Sequence, residues 1–157
     1  MEYLILKWIH ILSSTLLFGT GLGSAFYKWC VDRSGNLHAI IQTNRIVVIA
    51  DWMFTSPTVI IQPLTGIMLV NVMGSSLTEP WLVTTYILYV IAGGCWLPVV
   101  WLQIRMREVA INAAKQNSQL DDSYYRLARI WFWLGVPAFI SMVGIYFLMV
   151  FKPAINL

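Results

Sequence analysis

The chain has 157 residues, 59% of them hydrophobic and only 11% charged, with a mean hydropathy of +0.71. A soluble domain is about one quarter charged, so this composition excludes an ordinary water-soluble fold and makes lipid the solvent for most of the surface. The net charge is +3, with no basic run interleaved with aromatics, which argues against nucleic acid as a partner.

Four apolar stretches reach the length of about 20 residues that a helix needs to cross hydrocarbon: Tyr3 to Tyr27, Ile46 to Val72, Trp81 to Ile104 and Leu127 to Phe151. They are solidly apolar rather than alternating, which excludes a β-barrel. With their polar flanks they predict helices over about 3–27, 37–73, 81–116 and 122–151, a single all-α membrane domain across residues 1–157. Short connections make it an up-down-up-down four-helix bundle.

The first helix starts behind Glu2, is long for a secretion signal and lacks a small-x-small cleavage site, so it reads as retained. Lys7, His10, Ser14, Gly21, Ser24 and Lys28 share one stripe of it. Polar groups are costly in hydrocarbon, so this stripe should face other helices. Ser34 or Asn36 is placed to cap the second helix. That helix carries its own polar stripe, Asp51, Thr55, Thr58, Gln62 and Thr65 with Gly66, and the two faces should meet. At about 1.5 Å per residue, His10 lies level with Gln62 to Leu69, with Tyr89 on the third helix and with Ser141 to Ile145 on the fourth. These residues outline a candidate pocket in the outer half of the membrane.

The third helix continues past Arg105 toward Gln116, and Ser118, Asp121 or Asp122 can cap the fourth. Eight of the ten Lys and Arg residues, Lys28, Arg33, Arg45, Arg105, Arg107, Lys115, Arg126 and Arg129, lie in the first and third connections or beside them. The positive-inside rule then predicts both termini periplasmic, in a bacterial inner membrane. Tyr3, Trp8 and Trp81 fall near the outer interface, and Trp29, Trp101, Trp131 and Trp133 near the inner one. Cys30 and Cys95 differ too much in depth for a disulfide.

His10 has two readings. One is an interhelical hydrogen bond to Gln62, Thr65 or Tyr89. The other is axial ligation of a b-type haem, because neutral imidazole binds iron and an apolar bundle interior suits the macrocycle. A second iron ligand would come from Met68, Met142 or a partner chain, since His38 lies at the far end, and Lys7 and Lys152 could pair with propionates. The small residues Gly66, Gly93, Gly94, Ser141 and Gly144 either let helices pack closely or leave room for a flat cofactor. For Asp51 an ion pair with Arg105 or Arg45 is favoured over a proton relay through Thr55 and Thr58. Scattered cysteines and methionines argue against copper.

Lys7-Trp8-Ile9-His10-Ile11, Ala50-Asp51-Trp52, Gln62-Pro63-Leu64-Thr65-Gly66 and Cys95-Trp96-Leu97-Pro98 stand in an order that resembles a bacterial family of four-helix integral membrane proteins (DUF2269) over essentially the whole chain. The helix-one histidine, the Thr65-Gly66 pair, the basic third connection and Pro137 are more distantly similar to HemJ-type protoporphyrinogen oxidases. That second resemblance implies haem b, with His10 carried over as its ligand. The chain departs from it at Gly94-Cys95-Trp96 and at Leu134-Gly135-Val136, which puts porphyrinogen oxidation in doubt more than haem binding.

The expected function is thus that of a redox-active haem b membrane protein in a homo-oligomer. It would pass electrons to a quinone or respiratory partner or oxidise a porphyrinogen. The expected cofactor-binding residues are His10, Lys7, Ser14, Gln62, Thr65, Gly66, Tyr89, Ser141 and Gly144, with His10 on the metal. The alternatives are a cofactor-free assembly or accessory subunit, whose polar stripe only joins helices, and a small transporter lined by Asp51 and Gln62.

Overall fold

The computed structural model describes residues 1–153 and is all-helical over them. Four long helices run antiparallel to their neighbours: α1 Glu2–Asp32, α2 Leu37–Val72, α3 Pro80–Lys115 and α4 Asp122–Phe151. Each is long and apolar enough to cross a membrane.

The ends follow local chemistry. Asn36 caps α2 by accepting from the Ala39 amide at 3.1 Å, and Asp121 caps α4 by accepting from the Tyr124 amide at 3.3 Å. Gly74, with φ of 67°, takes the left-handed turn that closes α2, where the Ser75 amide returns to the Val70 carbonyl. Asn117, at φ 50°, does the same after α3.

One turn of α2, Asp51–Thr55, is a π-helix. Pro57 explains its position. The proline ring crowds the carbonyl four residues back, and widening the turn relieves the conflict: the Ser56 amide reaches Asp51, five residues back, and the Ser56 hydroxyl bonds the same carbonyl at 3.0 Å. π turns inside α-helices often mark functional positions.

The core is split. At the end holding the basic residues, Ile40, Leu102, Met106, Tyr124 and Trp131 pack together. At the opposite end Val70, Trp81, Leu82 and Leu148 form a second cluster. α3 packs along α4 and α1 along α2, whereas α1 meets α4 only over a short stretch. Trp81 is buried in the second cluster with Lys152 Nζ 5.4 Å from its ring centre, so it is a core residue rather than the interfacial anchor its depth suggested.

The basic end is riveted by a polar cluster. Lys28 is fully buried and donates to Asp32 at 2.9 and 3.2 Å and to the Tyr124 hydroxyl at 3.1 Å. Tyr124 donates to Asp32 at 2.7 Å, and the Asn44 amide donates to Tyr124 at 3.0 Å. Three helices, α1, α2 and α4, are tied here. This is also why α1 runs on to Asp32 rather than ending near Tyr27.

Candidate functional site

The stripes of α1 and α2 meet at the end away from the basic cluster. The Thr65 hydroxyl lies 2.7 Å from the Ile61 carbonyl, so its single proton goes to the backbone and its oxygen accepts from His10 Nδ1 at 2.8 Å. Gln62 Nε2 donates to the His10 carbonyl at 2.7 Å and to Ser13 Oγ. Ser13, absent from the stripe read in the sequence, is the buried serine of this joint. Ser14 bonds back to Ile11 on its own helix.

The other expected site residues are spread around the bundle. A Cβ at Gly66 would lie 3.5 Å from His10 Cε1, and one at Gly144 only 3.1 Å from Leu88 Cδ1, so both glycines bring helices close. Ser141 is buried on α4. Lys7 is exposed, with Nζ 5.7 Å from the centre of the Tyr3 ring.

Tyr89 occupies a different position. Pro63 has no amide proton, which strands the carbonyl of Val59 four residues earlier. The Tyr89 hydroxyl takes up that carbonyl at 2.5 Å, linking α3 to α2.

Between the two packed ends lies a cavity of 330 Å³ walled by all four helices. The expected pocket was placed around His10, but the cavity sits nearer mid-bundle, and of the nine expected residues only Tyr89 lines it. Its wall is almost wholly apolar and includes Phe18, Ala92, Gly93, Gly135 and Phe139. A Cβ added at Gly93 or Gly135 would meet nothing within 4 Å, so the space opposite both glycines is open.

The polar groups in this wall are few and convergent. Asp51 is 5% exposed; its Oδ1 accepts from the Thr55 hydroxyl at 2.9 Å, and its Oδ2 has no partner. Gln103, 3% exposed, lies beside that carboxyl with its Oε1 unpartnered. The indole N–H groups of Trp96 and Trp131 also lack acceptors. Buried polar atoms are nearly always satisfied; of the six without a partner among the described residues, these four belong to the cavity wall, and the other two, on Asn44 and Arg107, lie outside it. The expected ion pair of Asp51 is not formed: Arg105 pairs with Glu108 at 2.7 Å, and Arg45 is exposed. Arg107, one turn along α3 from Gln103, is not part of the cavity wall.

Gln103 and Trp131 were missed because each falls at an end of an apolar run, where polar and tryptophan side chains read as interfacial. An amide within reach of the span was the available signal for Gln103.

The cavity opens at the α1–α4 seam. Leu22, Phe132 and Phe139 line it while remaining 48%, 44% and 42% exposed on the outer surface. Phe18 closes part of the seam, stacking on Phe139 with centroids 5.5 Å apart and meeting Tyr146 edge-on at 5.4 Å.

Among the described residues no group of three or more His, Cys, Asp or Glu side chains is arranged to hold a metal ion. His10 does not line the cavity, so a haem seated there would not be ligated by it.

No curated protein and no solved structure matches the chain. A family model described as "Predicted integral membrane protein (DUF2269)" matches residues 4–153. With four membrane-length helices and a match over nearly its full length, the chain belongs to that family of integral membrane proteins.

Proposed function

We propose that this membrane protein binds a small lipophilic molecule within its helical bundle and exchanges it with the bilayer through the α1–α4 seam. The observation that carries the reading is the coincidence of a 330 Å³ apolar cavity with four unpartnered polar groups in its wall, on Asp51, Gln103, Trp96 and Trp131. An apolar cavity with a few convergent polar groups is the usual form of a small-molecule site. The basic residues gathered at one end support a bacterial inner-membrane orientation with that end cytoplasmic and both termini periplasmic.

Native mass spectrometry of protein released from lipid nanodiscs tests the proposal. Wild type carries, or takes up, a small lipophilic molecule, and Gly135→Leu, which fills open space in the cavity, loses it while keeping its helical circular dichroism. Wild type that holds no such molecule from membranes or from added lipophiles sinks the reading.

A second reading, haem b on His10, is supported by one observation. Because the Thr65 proton is committed to the backbone, His10 Nδ1 is the donor and Nε2 keeps the lone pair that binds iron. The residues able to hold the group are then His10 and, toward the propionates, Lys7, on the α1–α2 side of the bundle, where a second copy of the chain would complete the site. Haem would supply one-electron chemistry toward a quinone or respiratory partner, or a HemJ-like porphyrinogen oxidation. Protein from haem-supplied cells would show a Soret band that His10→Ala abolishes; a colourless preparation removes this reading. It would leave the His10–Thr65 and Gln62–Ser13 bonds as helix joints, as in a cofactor-free assembly or accessory subunit.

A further inference from the structure

Resting on the cavity reading above, we infer that the ligand is a lipophilic amine, seated with its protonated nitrogen between Asp51 and Gln103 and its apolar body among the aromatic side chains of the cavity.

The first support is the polarity of the anchor. At the Asp51 end the two unpartnered atoms, Asp51 Oδ2 and Gln103 Oε1, are both acceptors. Two acceptors on neighbouring residues only 5% and 3% exposed call for a ligand that donates hydrogen bonds. An ammonium group brings three N–H donors.

The second support is charge. A carboxyl removed from water either takes up a proton or, to stay ionised, needs a counter-charge beside it. Among the described residues the ion pairs are Lys28–Asp32 and Arg105–Glu108, and neither involves Asp51. Lys28 is engaged by Asp32 and Tyr124, Arg45 and Arg105 are exposed, and Arg107, half-buried with an unpartnered Nε, forms no ion pair with Asp51 and does not line the cavity. The Thr55 hydroxyl bonds Oδ1, and the Gln103 amide beside the carboxyl is neutral, so neither supplies a counter-charge. A bound cation supplies what the chain omits.

The third support is the surroundings. Trp96, Trp131 and Tyr89 line the same cavity, and aromatic faces attract cations most strongly where water is excluded. Trp131 already makes such a contact at the basic end, with Lys28 Nζ 5.5 Å from the centre of its ring. The π turn fixes the anchor by presenting Asp51 and Thr55 together on the cavity side of α2. An anionic ligand would instead meet the Asp51 carboxyl and the Gln103 amide oxygen, both acceptors, at this end.

Three probes that share one body and differ in the head group test the inference: 4-phenylbutylamine, 4-phenylbutan-1-ol and 4-phenylbutyrate, added to the full chain in lipid nanodiscs, with binding read by native mass spectrometry and by the thermal unfolding midpoint. The amine binds wild type about tenfold or more tighter than the alcohol, as expected for a charge-assisted hydrogen bond against a neutral one. Asp51→Asn removes that preference by weakening the amine far more than the alcohol, and Gly135→Leu weakens both. Gln103→Leu, which leaves the carboxyl in place, reduces amine binding severalfold and serves where Asp51→Asn does not fold. Equal binding of amine and alcohol, both lost in Gly135→Leu, overturns the amine assignment and leaves the cavity reading standing. Preference for the butyrate also overturns it and points to the Trp96 and Trp131 indoles as the anchor. Binding of none of the three overturns both.

Discussion

The Tyr89 hydroxyl occupies the hydrogen-bonding place that Pro63 leaves empty at the Val59 carbonyl, so a side chain of α3 completes the backbone of α2. Tyr89→Phe strands that carbonyl and destabilises the bundle by about 0.6 kcal/mol, the membrane average for a side-chain hydrogen bond, and by no more than about 1.7 kcal/mol. Pro63→Ala restores an amide proton to the helix. In the Pro63→Ala background the cost of Tyr89→Phe falls toward zero, and a double-mutant cycle of unfolding in mixed micelles measures the difference. Equal costs in both backgrounds would show that the two residues are not coupled.

Lys28 and Asp32 form a buried ion pair, with side chains 1% and 15% exposed. Removing one partner strands the other charge, so Lys28→Met costs about 3–5 kcal/mol. Replacing both, Lys28→Met with Asp32→Leu, recovers much of that loss, because two desolvated charges disappear together. Denaturant unfolding of wild type and the two variants gives the comparison.

The joint between α1 and α2 is built on Gln62, whose amide reaches both the His10 carbonyl and Ser13. Gln62→Leu therefore destabilises more than Thr65→Val, which removes the acceptor of one side-chain bond to His10. On the membrane average of about 0.6 kcal/mol per bond, the two variants differ by roughly that amount. A reversed order in unfolding measurements would contradict the assignment of Gln62 as the principal link.

At the α4 cap, the Ser123 hydroxyl and the Tyr124 amide hold the Asp121 carboxyl below the usual carboxylate range. A depressed folded-state value contributes stability that is complete above the ordinary pKa and is lost as pH falls through the folded one. Acidification below about pH 4 thus frays the first turn of α4, and Asp121→Asn, which caps without titrating, flattens that acid limb. Hydrogen exchange at the Tyr124 and Tyr125 amides reports it.

The meeting of the α1 and α2 stripes was legible because polar groups at helical spacing in an apolar segment have only other helices to face. Depth counting brought His10 to Gln62, Thr65 and Gly66, where they lie. The cavity was not legible. It depends on a π turn that shifts the register of α2 at Asp51, and on Gly93 and Gly135 facing empty space rather than a neighbouring helix. Sequence lists small residues without saying which are filled against and which are not: Gly144 meets Leu88, and Gly135 meets nothing. Asp51 was visible as a buried acid, yet the lack of a counter-ion is a fact about the positions of Arg45 and Arg105 in three dimensions.

The short contact between α1 and α4 makes the bundle a pair of hairpins closed on one side by aromatic rings rather than by a full helix seam. A molecule passing Phe18 and Phe139 leaves acyl chains, not water. Its occupancy is then governed by its mole fraction in the leaflet, and an affinity expressed against aqueous concentration will drift with the amount of lipid present.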